Sequence, residues 1–277
     1  MLFLLNIVVW QDVFDLAGPR YLKVTVLDVG QGDSIFIETP AMRHILIDGG
    51  PDTSVLEKLS RQLPFWQRRL DMVILTHPDA DHVAGLLHVL KRYRVDYMVW
   101  SGGVRDGGNY EEWITLLEKQ KNQGGNVIIA KSGLQIKSGN AVLDVLHPFK
   151  DLSGEFLGKE GNDAGVVMQL EYGAKSFLFT ADISNKVEQA MIDEKVDVLS
   201  DVLKVAHHGS KYSSSEAFLQ AVSPSLGVIS SGKKNMYGHP APEALQRLEK
   251  FGITTLRTDQ DGDVEMISDG ESIKLSE

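Results

Sequence analysis

Six consecutive residues, from His77 to His82, carry two histidines and two aspartates in the order His-x-Asp-x-Asp-His. They follow the apolar run 72–75, which is typical of a buried strand, and precede a helix that we expect to begin near Val83. A single aspartate there would most simply cap the helix. Four such side chains in six positions instead indicate metal coordination. Two divalent ions about 3.5–4 Å apart would clamp both oxygens of a hydrolytic displacement.

Further imidazoles and carboxylates follow other apolar runs. Each has a simpler explanation by itself, as a helix cap, a turn residue or a packed core histidine. Most of them, however, stand where a predicted strand ends, and strand ends and their loops collect at one edge of a sheet, where active sites form. We therefore expect them near the 77–82 segment. They are Asp48, Asp182, His207, His208 and His239.

The composition limits the kinds of site that are possible. The chain has 277 residues, a hydrophobic fraction of 43%, a charged fraction of 24% and a formal net charge of −10. That charge argues against a surface coated with cations for general nucleic-acid binding, although a local basic groove is compatible with it. Cysteine is absent, which excludes thiolate metal sites, disulfides and cysteine nucleophiles.

Strand patterns dominate the first part of the chain, and strands alternate with helices later. This order predicts an α+β fold in which two β-sheets pack face to face with helices outside. The polar, Gly-rich stretch 149–164 is predicted to be a surface loop. The predicted strands are 22–28, 33–38, 44–47, 72–75, 95–100, 126–130, 134–137, 141–146, 165–172, 175–180, 202–206, 226–230, 253–257, 263–268 and 271–275, and the predicted helices are 83–93, 110–122, 184–194, 214–222 and 241–250.

Residues 1–18 form a separate segment with an apolar start, MLFLLNIVVW. These ten residues are too few to cross a bilayer, which takes about 20, and no basic region or small-residue cleavage site indicates a signal peptide. The segment is either a buried strand or helix, or the end of a membrane helix that makes the chain a fragment of a larger membrane protein. We assign residues 19–277 to a single domain.

The motifs together resemble those of a known family. Asp48, the 77–82 motif, Asp182 and His207 follow the order of the metallo-β-lactamase fold, whose usual core is His-x-His-x-Asp-His; here Asp79 replaces the second histidine. More specifically, the chain resembles the soluble domain of the ComEC family of DNA-internalisation competence proteins over most of its length. The stretches that carry this resemblance are VTVLDVGQGDSIFIETP, ILIDGG, LTHPDADHVAGL, FLFTADI, VLKVAHHGSKYSSS and NMYGHP.

The resemblance implies an αββα sandwich of two mixed β-sheets flanked by helices, with two divalent ions at one edge. One family ligand has no counterpart, because His88 falls on a predicted helix and His147 precedes the polar loop. Asn162 or Asp163 would have to substitute. The implied ligands are His77 and Asp79 for the first ion, Asp81, His82 and His207 for the second, and Asp182 between them, with Asp48 and His208 behind these ligands.

The implied ligands are all nitrogen and oxygen atoms. An aspartate in place of an imidazole favours Mn²⁺, whereas the Irving–Williams order favours Zn²⁺ when both are available. Two such ions lower the pKa of water and supply hydroxide near neutral pH, with Asp81 as a ligand essential for catalysis. No organic cofactor is expected.

Basic and polar side chains near the motifs predict an anionic, phosphate-bearing substrate. His239 would donate a proton to the leaving oxygen or bind the phosphate. The other candidates are Lys204, Ser210, Lys211, Lys233, Lys234, Asn235 and Tyr237.

The family resemblance implies a nuclease that degrades a strand of single- or double-stranded DNA during uptake. It also implies membrane association on the extracytoplasmic face, with a channel portion in the same protein or in a separate subunit. Two alternatives stay open: a hydrolase of a small ester, lactone or phosphodiester, and a non-catalytic metal-bound domain of an uptake complex.

Overall fold

The computed structural model describes residues 21–276. The apolar segment 1–18, predicted to be either a buried element or the end of a membrane helix, lies outside these residues. Within the described range, no helix is both long enough and apolar enough to cross a bilayer.

The described chain contains fifteen strands in two sheets. In chain order they are β1 (Leu22–Val26), β2 (Ile35–Glu38), β3 (His44–Ile47), β4 (Arg69–Leu75), β5 (Arg94–Trp100), β6 (Asn126–Ile129), β7 (Gln135–Ser138), β8 (Ala141–His147), β9 (Val167–Tyr172), β10 (Lys175–Phe179), β11 (Val202–Lys204), β12 (Leu226–Ile229), β13 (Thr254–Arg257), β14 (Val264–Ser268) and β15 (Ile273–Leu275).

Both sheets are mixed. The first has the strand order β15-β14-β1-β2-β3-β4-β5-β6, and the second has the order β13-β12-β11-β10-β9-β8-β7. In the first sheet β3 to β6 run parallel, and in the second β10 to β13 run parallel. The remaining neighbours are antiparallel.

Helices cover the outer faces of both sheets, because each buries one apolar stripe against a sheet. The first sheet carries α1 (Ser54–Gln62), α2 (Ala80–Arg92) and α3 (Gly108–Asn122), and the second carries α4 (Asn185–Asp193), α5 (Glu216–Val222) and α6 (Pro242–Lys250). A short helix, α7 (Thr258–Asp261), follows β13. The predicted αββα sandwich is therefore confirmed.

The two sheets meet through an apolar layer. Alternate residues of each strand point into it, such as Val24 and Ile37 from the first sheet and Met168 and Phe177 from the second, all fully buried. Burial of one such side chain contributes about 1.5–3 kcal/mol to folding.

The structure differs from the sequence prediction mainly in four segments. The short helix α7 was not predicted. The helix α1 was not predicted either, because its segment is mostly polar and buries mainly Val55 and Leu59. The helix α2 begins at Ala80, three residues earlier than predicted, so Asp81 and His82 belong to its first turn. The 149–164 loop contains a 3₁₀ helix, Gly158–Ala164, which approaches the site described below.

The parallel strands bring the predicted site residues to one edge of the sandwich. Asp48 follows β3, His77 lies two residues beyond β4, Asp182 lies three residues beyond β10, and His207 lies three residues beyond β11. These strands run parallel within each sheet, so their carboxyl ends, and the loops that follow them, lie together.

Candidate metal centre

Four side chains from both sheets converge at this edge. One ligand atom from each of Asp81, His82, Asp182 and His208 lies within 4.8 Å of the others. The Nε2 atom of His208 is 3.2 Å from Asp182 Oδ2 and 3.5 Å from Asp81 Oδ2, and His82 Nε2 is 3.4 Å from Asp182 Oδ2. These four residues are called the ligand cluster below.

The imidazoles of the ligand cluster are oriented through their other nitrogen. His82 Nδ1 lies 2.7 Å from Asp48 Oδ2, and His208 Nδ1 lies 2.9 Å from the carbonyl oxygen of Ser230. A carboxylate and a carbonyl only accept hydrogen bonds, so both Nδ1 atoms donate, and each neutral ring keeps a lone pair on Nε2. Histidines that bind metals are typically held in this way.

His77 follows the same pattern beside the ligand cluster. Its Nδ1 lies 3.0 Å from Thr76 Oγ1, and that hydroxyl donates to Asp48 Oδ2 at 2.6 Å. The proton between Thr76 and His77 therefore comes from Nδ1, which leaves the His77 Nε2 lone pair free. The rings of His77 and His82 are 4.1 Å apart, centroid to centroid.

These side chains fit a divalent cation. Four buried atoms make no hydrogen bond: Nε2 of His77, His82 and His208, and Oδ1 of Asp182. A buried polar atom without a partner costs about 1–3 kcal/mol. Lone pairs of imidazole and carboxylate at one place are the donors that zinc and manganese bind.

The Asp48 carboxylate accepts several hydrogen bonds behind the ligand cluster. Asp48 is fully buried, and its carboxylate accepts hydrogen bonds from the Thr76 amide at 2.8 Å, the Thr76 hydroxyl and the His82 ring. It therefore ties β3 to the segment that carries His77 and fixes the orientation of His82.

A buried ion pair that sequence reasoning missed supports His208. Asp33 Oδ2 accepts from Lys204 Nζ at 2.7 Å, and Asp33 Oδ1 lies 3.3 Å from His208 Nδ1. Lys204 was predicted to face the substrate, but it is 2% exposed, because Asp33 holds its ammonium inside the protein. The stretch VGQGDS contains Asp33, but its pattern gives no sign of the partner.

Electrostatics within the ligand cluster favour a cation. Burial opposes the charged form of His82 and His208, yet the nearby carboxylates, above all Asp182, outweigh it and raise the pKa of both rings well above the ordinary value. Burial also disfavours the Asp182 carboxylate, but the two histidines hold its pKa well below the ordinary value. Burial lowers the pKa of His77 to about 4.

The two adjacent histidines, His207 and His208, do not occupy the predicted places. The sequence prediction made His207 the ligand, with His208 behind it. In the structure His208 belongs to the ligand cluster and is buried, whereas His207 is 3.8 Å from Asp182 and its side chain is 30% exposed. The reason is a left-handed backbone at both residues, with φ of 50° and 54°, which turns the second ring inward.

Asp79, predicted to bind the first ion, is paired with a cation of the protein. Its carboxylate accepts from the guanidinium of Arg105, which comes from the loop after β5. The ion pair turns Asp79 to the rim of the site, and Asp79 is not part of the ligand cluster.

The two candidates for the missing ligand lie in different surroundings. Asn162 Nδ2 is 3.4 Å from His207 Nε2, at the edge of the site. Asp163 instead accepts from the amide and hydroxyl of Ser184, and therefore holds the residue that precedes α4. His147 hydrogen bonds to the carbonyl oxygen of Gly165.

The predicted substrate-binding residues lie on two loops beside the ligand cluster. Ser210 is buried, whereas Lys211 is exposed. The Asn235 side chain makes bonds within its own loop, to the His239 amide and carbonyl. Tyr237 is exposed and its ring stacks on His239 at 5.9 Å.

His239 lies 5.4 Å from His207 and 6.3 Å from His208, ring to ring. Its Nδ1 is buried and makes no hydrogen bond. Burial, and then the two neighbouring histidines, lower its pKa to about 4, so the free ring is neutral at pH 7.

A cleft of about 530 Å³ borders the ligand cluster. It reaches from Asp81 past the Asp79–Arg105 ion pair to the start of α3 at Gly108, and Tyr237 also lines it. The cleft offers both negative and positive groups, with Arg105 as the cation nearest to the carboxylates.

The fold and this site agree with the comparisons with known proteins. Residues 27–233 match the Metallo-beta-lactamase superfamily, and the chain belongs to that superfamily of metallo-hydrolases. The structure is also similar to the metallo-beta-lactamase fold protein YhfI from Bacillus subtilis, with a TM-score of 0.58 and 13% identity, covering 90% of this chain and 100% of that one.

Among curated proteins, the chain is similar to a ComE operon protein and to a competence protein. It is 33% identical to ComE operon protein 3 of Bacillus subtilis (strain 168), over 88% of this chain and 32% of the relative. It is 32% identical to competence protein ComA of Neisseria gonorrhoeae, over 86% of this chain and 31% of the relative. The chain thus spans about a third of the length of these relatives.

Proposed function

We propose that this chain is a metal-dependent phosphodiesterase that hydrolyses DNA. The observation that carries the proposal is the ligand cluster, in which the Nε2 atoms of His82 and His208 and the Oδ1 atom of Asp182 are buried without a hydrogen bond beside an open cleft. One of the two relatives described above is named as a competence protein, which supports degradation of a DNA strand, single- or double-stranded, during uptake.

The proposed metal content is two divalent cations, Mn²⁺ or Zn²⁺. The ligand cluster would hold one, and His77 together with Asp182 would contribute to holding the other. Bound there, such cations act as Lewis acids and lower the pKa of water.

The remaining steps belong to side chains of the protein. Asp48 and the Ser230 carbonyl keep His82 and His208 in the orientation that presents Nε2. His239, whose ring lies 5.4 Å from that of His207 and 6.3 Å from that of His208, would hold a phosphate oxygen or pass a proton to the leaving oxygen. The exposed ring of Tyr237 offers a stacking surface for a base.

Cations on the rim would bind the anionic backbone of the substrate. Lys211, Lys233 and Lys234 are exposed on the two loops beside the ligand cluster, and Arg105 lies in the cleft. Each contact with a phosphate releases counterions, so binding would weaken with salt.

One observation favours a second candidate, hydrolysis of a small phosphodiester or ester. The cleft of about 530 Å³ lies in the size range of small-molecule sites. A preference for dinucleotides or small esters over long strands would identify this alternative.

The proposed setting is a membrane-bound uptake system on the extracytoplasmic face. The named relatives are about three times as long as this chain, and we propose that a channel portion, in the same protein or in another subunit, delivers the strand.

The two adjacent histidines provide a matched test. The chain would be stripped with EDTA, resupplied with Mn²⁺ or Zn²⁺ and given single-stranded DNA. We expect metal to restore cleavage, His208→Ala to lower it by about 10³-fold or more, as expected for loss of a group essential to metal catalysis, and His207→Ala to lower it much less. Equal losses in the two variants would contradict the assignment of His208 to the ligand cluster, and bound metal without cleavage of any phosphodiester would refute the proposed function.

A further inference from the structure

Two large aromatic side chains are exposed at the sheet edge opposite the ligand cluster. Phe65 and Trp66 are 80% and 68% exposed, and their rings pack edge to face at 4.8 Å. They lie in the loop that leads into β4, whose other end leads to His77. A seven-residue strand spans roughly 20 Å, so this loop is far from the metal site.

Basic residues surround this aromatic pair. Segments 61–69 and 91–94 contain no acidic residue, although the whole chain has 38 acidic and 28 basic residues. The two segments lie side by side, because Arg69 pairs with Arg94 in the register of β4 and β5. Their cations, all exposed, are Arg61, Arg68, Arg69, Lys91, Arg92 and Arg94.

Part of this charge is not neutralised. Arg61, Arg69 and Lys91 form ion pairs with carboxylates. Arg68 and Arg94, by contrast, donate to the backbone carbonyls of Gln67 and Gln123, which leaves their positive charge in place.

Cations in the last turn of a helix also favour the helix dipole. That effect accounts for Arg61, Lys91 and Arg92, which end α1 and α2. It does not account for Arg68, which lies in a loop, or for the exposure of Phe65 and Trp66.

The described chain starts at the same edge. The register of the first sheet shows this. Lys23 of β1 lies opposite Glu38 of β2, Glu38 lies opposite His44 of β3, and the His44 amide donates to Asp71 of β4.

Two residues before these positions in β1 and β4 are Tyr21 and Arg69, which therefore lie at the same height in the sheet. Tyr21 is 47% exposed. The apolar residues 1–10 join the domain through ten further residues, which reach at most about 35 Å.

We propose that this edge docks on an anionic lipid bilayer. The surface, called the basic aromatic face, consists of Phe65, Trp66 and the six cations named above. Aromatic rings favour the headgroup region of a bilayer, and arginines near an anionic surface gain about 1 kcal/mol each. Docking there holds the metal site about 20 Å from the lipid, facing the water phase.

Two observations favour lipid over nucleic acid as the partner. Bases can stack on exposed rings, but two apolar rings packed edge to face gain most where hydrocarbon is near. DNA bound to this face would also lie a whole strand length from the ligand cluster.

Vesicle co-sedimentation of the full chain tests the proposal. The vesicles would contain phosphatidylcholine alone or mixed with phosphatidylglycerol. We expect preference for the anionic vesicles, and more than about tenfold weaker binding for Arg68→Glu/Arg92→Glu and for Phe65→Ala/Trp66→Ala. The matched control, Phe156→Ala/Lys150→Glu, removes an exposed ring and an exposed cation elsewhere and should bind like the parent chain.

Because every variant keeps residues 1–20, any binding by the apolar start is common to all of them. Equal sedimentation of the parent chain and the two face variants would overturn the proposal, as would no preference for anionic vesicles. Loss of single-stranded DNA binding with unchanged vesicle binding would assign the face to nucleic acid instead. Hydrolysis of a soluble substrate should be unchanged in the face variants, which separates this proposal from the proposed function.

Discussion

His207 and His208 take different positions because the backbone is left-handed at both. Such a conformation costs roughly 1–3 kcal/mol at a residue with a side chain. Asp48 and Ala181, each adjacent to or part of the site, have positive φ as well. Strain of this kind persists where surrounding contacts enforce it, here the bond from His208 to Ser230.

We expect Arg105 to limit the metal affinity of the site through Asp79. With Arg105→Ala, the Asp79 carboxylate loses its partner and a positive charge leaves the rim, and both changes favour a second cation. We expect the weaker of two Mn²⁺ dissociation constants to fall by about tenfold, the value of one charge-assisted hydrogen bond. Titration calorimetry measures it. Arg105→Lys keeps the charge and should change the constant less; an unchanged constant in both variants would show that Asp79 has no role in metal binding.

The stability of the metal-free protein should depend on pH in two windows. The pKa values of His82 and His208 are raised in the folded protein. Protonation of these two rings therefore stabilises the fold fully below about pH 6.5, the ordinary pKa of histidine. This contribution is lost as pH rises through the higher pKa values of the folded state. The pKa of His77 is lowered to about 4, because the fold favours the neutral ring. The contribution of His77 to the stability of the fold is therefore lost as pH falls from 6.5 toward 4.

Thermal melts of the EDTA-treated chain across this range test the assignment. We expect Tm to be highest near neutral pH and to fall by a few degrees on the alkaline side. Mn²⁺ should largely remove the alkaline fall, because a bound cation replaces the two protons. In the variant His82→Asn/His208→Asn, Tm should also fall less as pH rises above neutral. If Tm falls as steeply in that variant as in the parent chain, other groups cause the pH dependence.

At the scale of elements, α2 lies unusually close to the loop after β3. A Cβ built on Gly85 would lie 1.8 Å from the Gly49 carbonyl oxygen, and one on Gly49 would lie 2.3 Å from the Leu86 amide nitrogen. Neither position has room for a side chain. This approach lets Asp48 reach His82 in the first turn of α2.

Gly85→Ala should therefore destabilise the fold by at least about 2 kcal/mol and weaken metal binding through the shifted His82. Gly108→Ala is the matched control, since a Cβ there meets nothing within 4 Å at the start of α3. Denaturant unfolding of both variants measures the difference. Equal free energies of unfolding would show that α2 can move away from the loop at little cost.

The positions of the strands along the chain could be predicted because apolar runs and Gly or Asp breaks alternate clearly in the sequence. The helix α1 could not, since only a narrow stripe containing Val55 and Leu59 is buried. At the site, the 77–82 motif could be predicted because its four candidate ligands lie within six consecutive residues. The places of His208, Arg105 and Lys204 depend on contacts with residues distant in sequence, which no local pattern records.

At the scale of the whole molecule, positive charge is concentrated on two separate surfaces of an acidic protein. The net charge is −10, yet exposed lysines border the metal site, and the basic aromatic face lies at the other end. Substrate binding should accordingly depend on a small number of cations.

Lys211→Ala/Lys233→Ala should weaken single-stranded DNA binding mainly at low salt. Two lost phosphate contacts lower the slope of log affinity against log salt by about 1.4. Fluorescence anisotropy at several salt concentrations measures it, with Lys150→Ala as a control for removal of an exposed lysine. A slope equal to that of the parent chain would place the DNA elsewhere on the protein.

The division of the ligand cluster between the two sheets also has a consequence for synthesis of the protein. Asp81 and His82 leave the ribosome long before Asp182 and His208, and the Asp33–Lys204 pair likewise joins early and late parts of the chain. A nascent or truncated chain that ends before His208 carries only part of the metal site. Metal loading, and any hydrolytic activity that depends on it, therefore marks a chain whose translation has passed that residue.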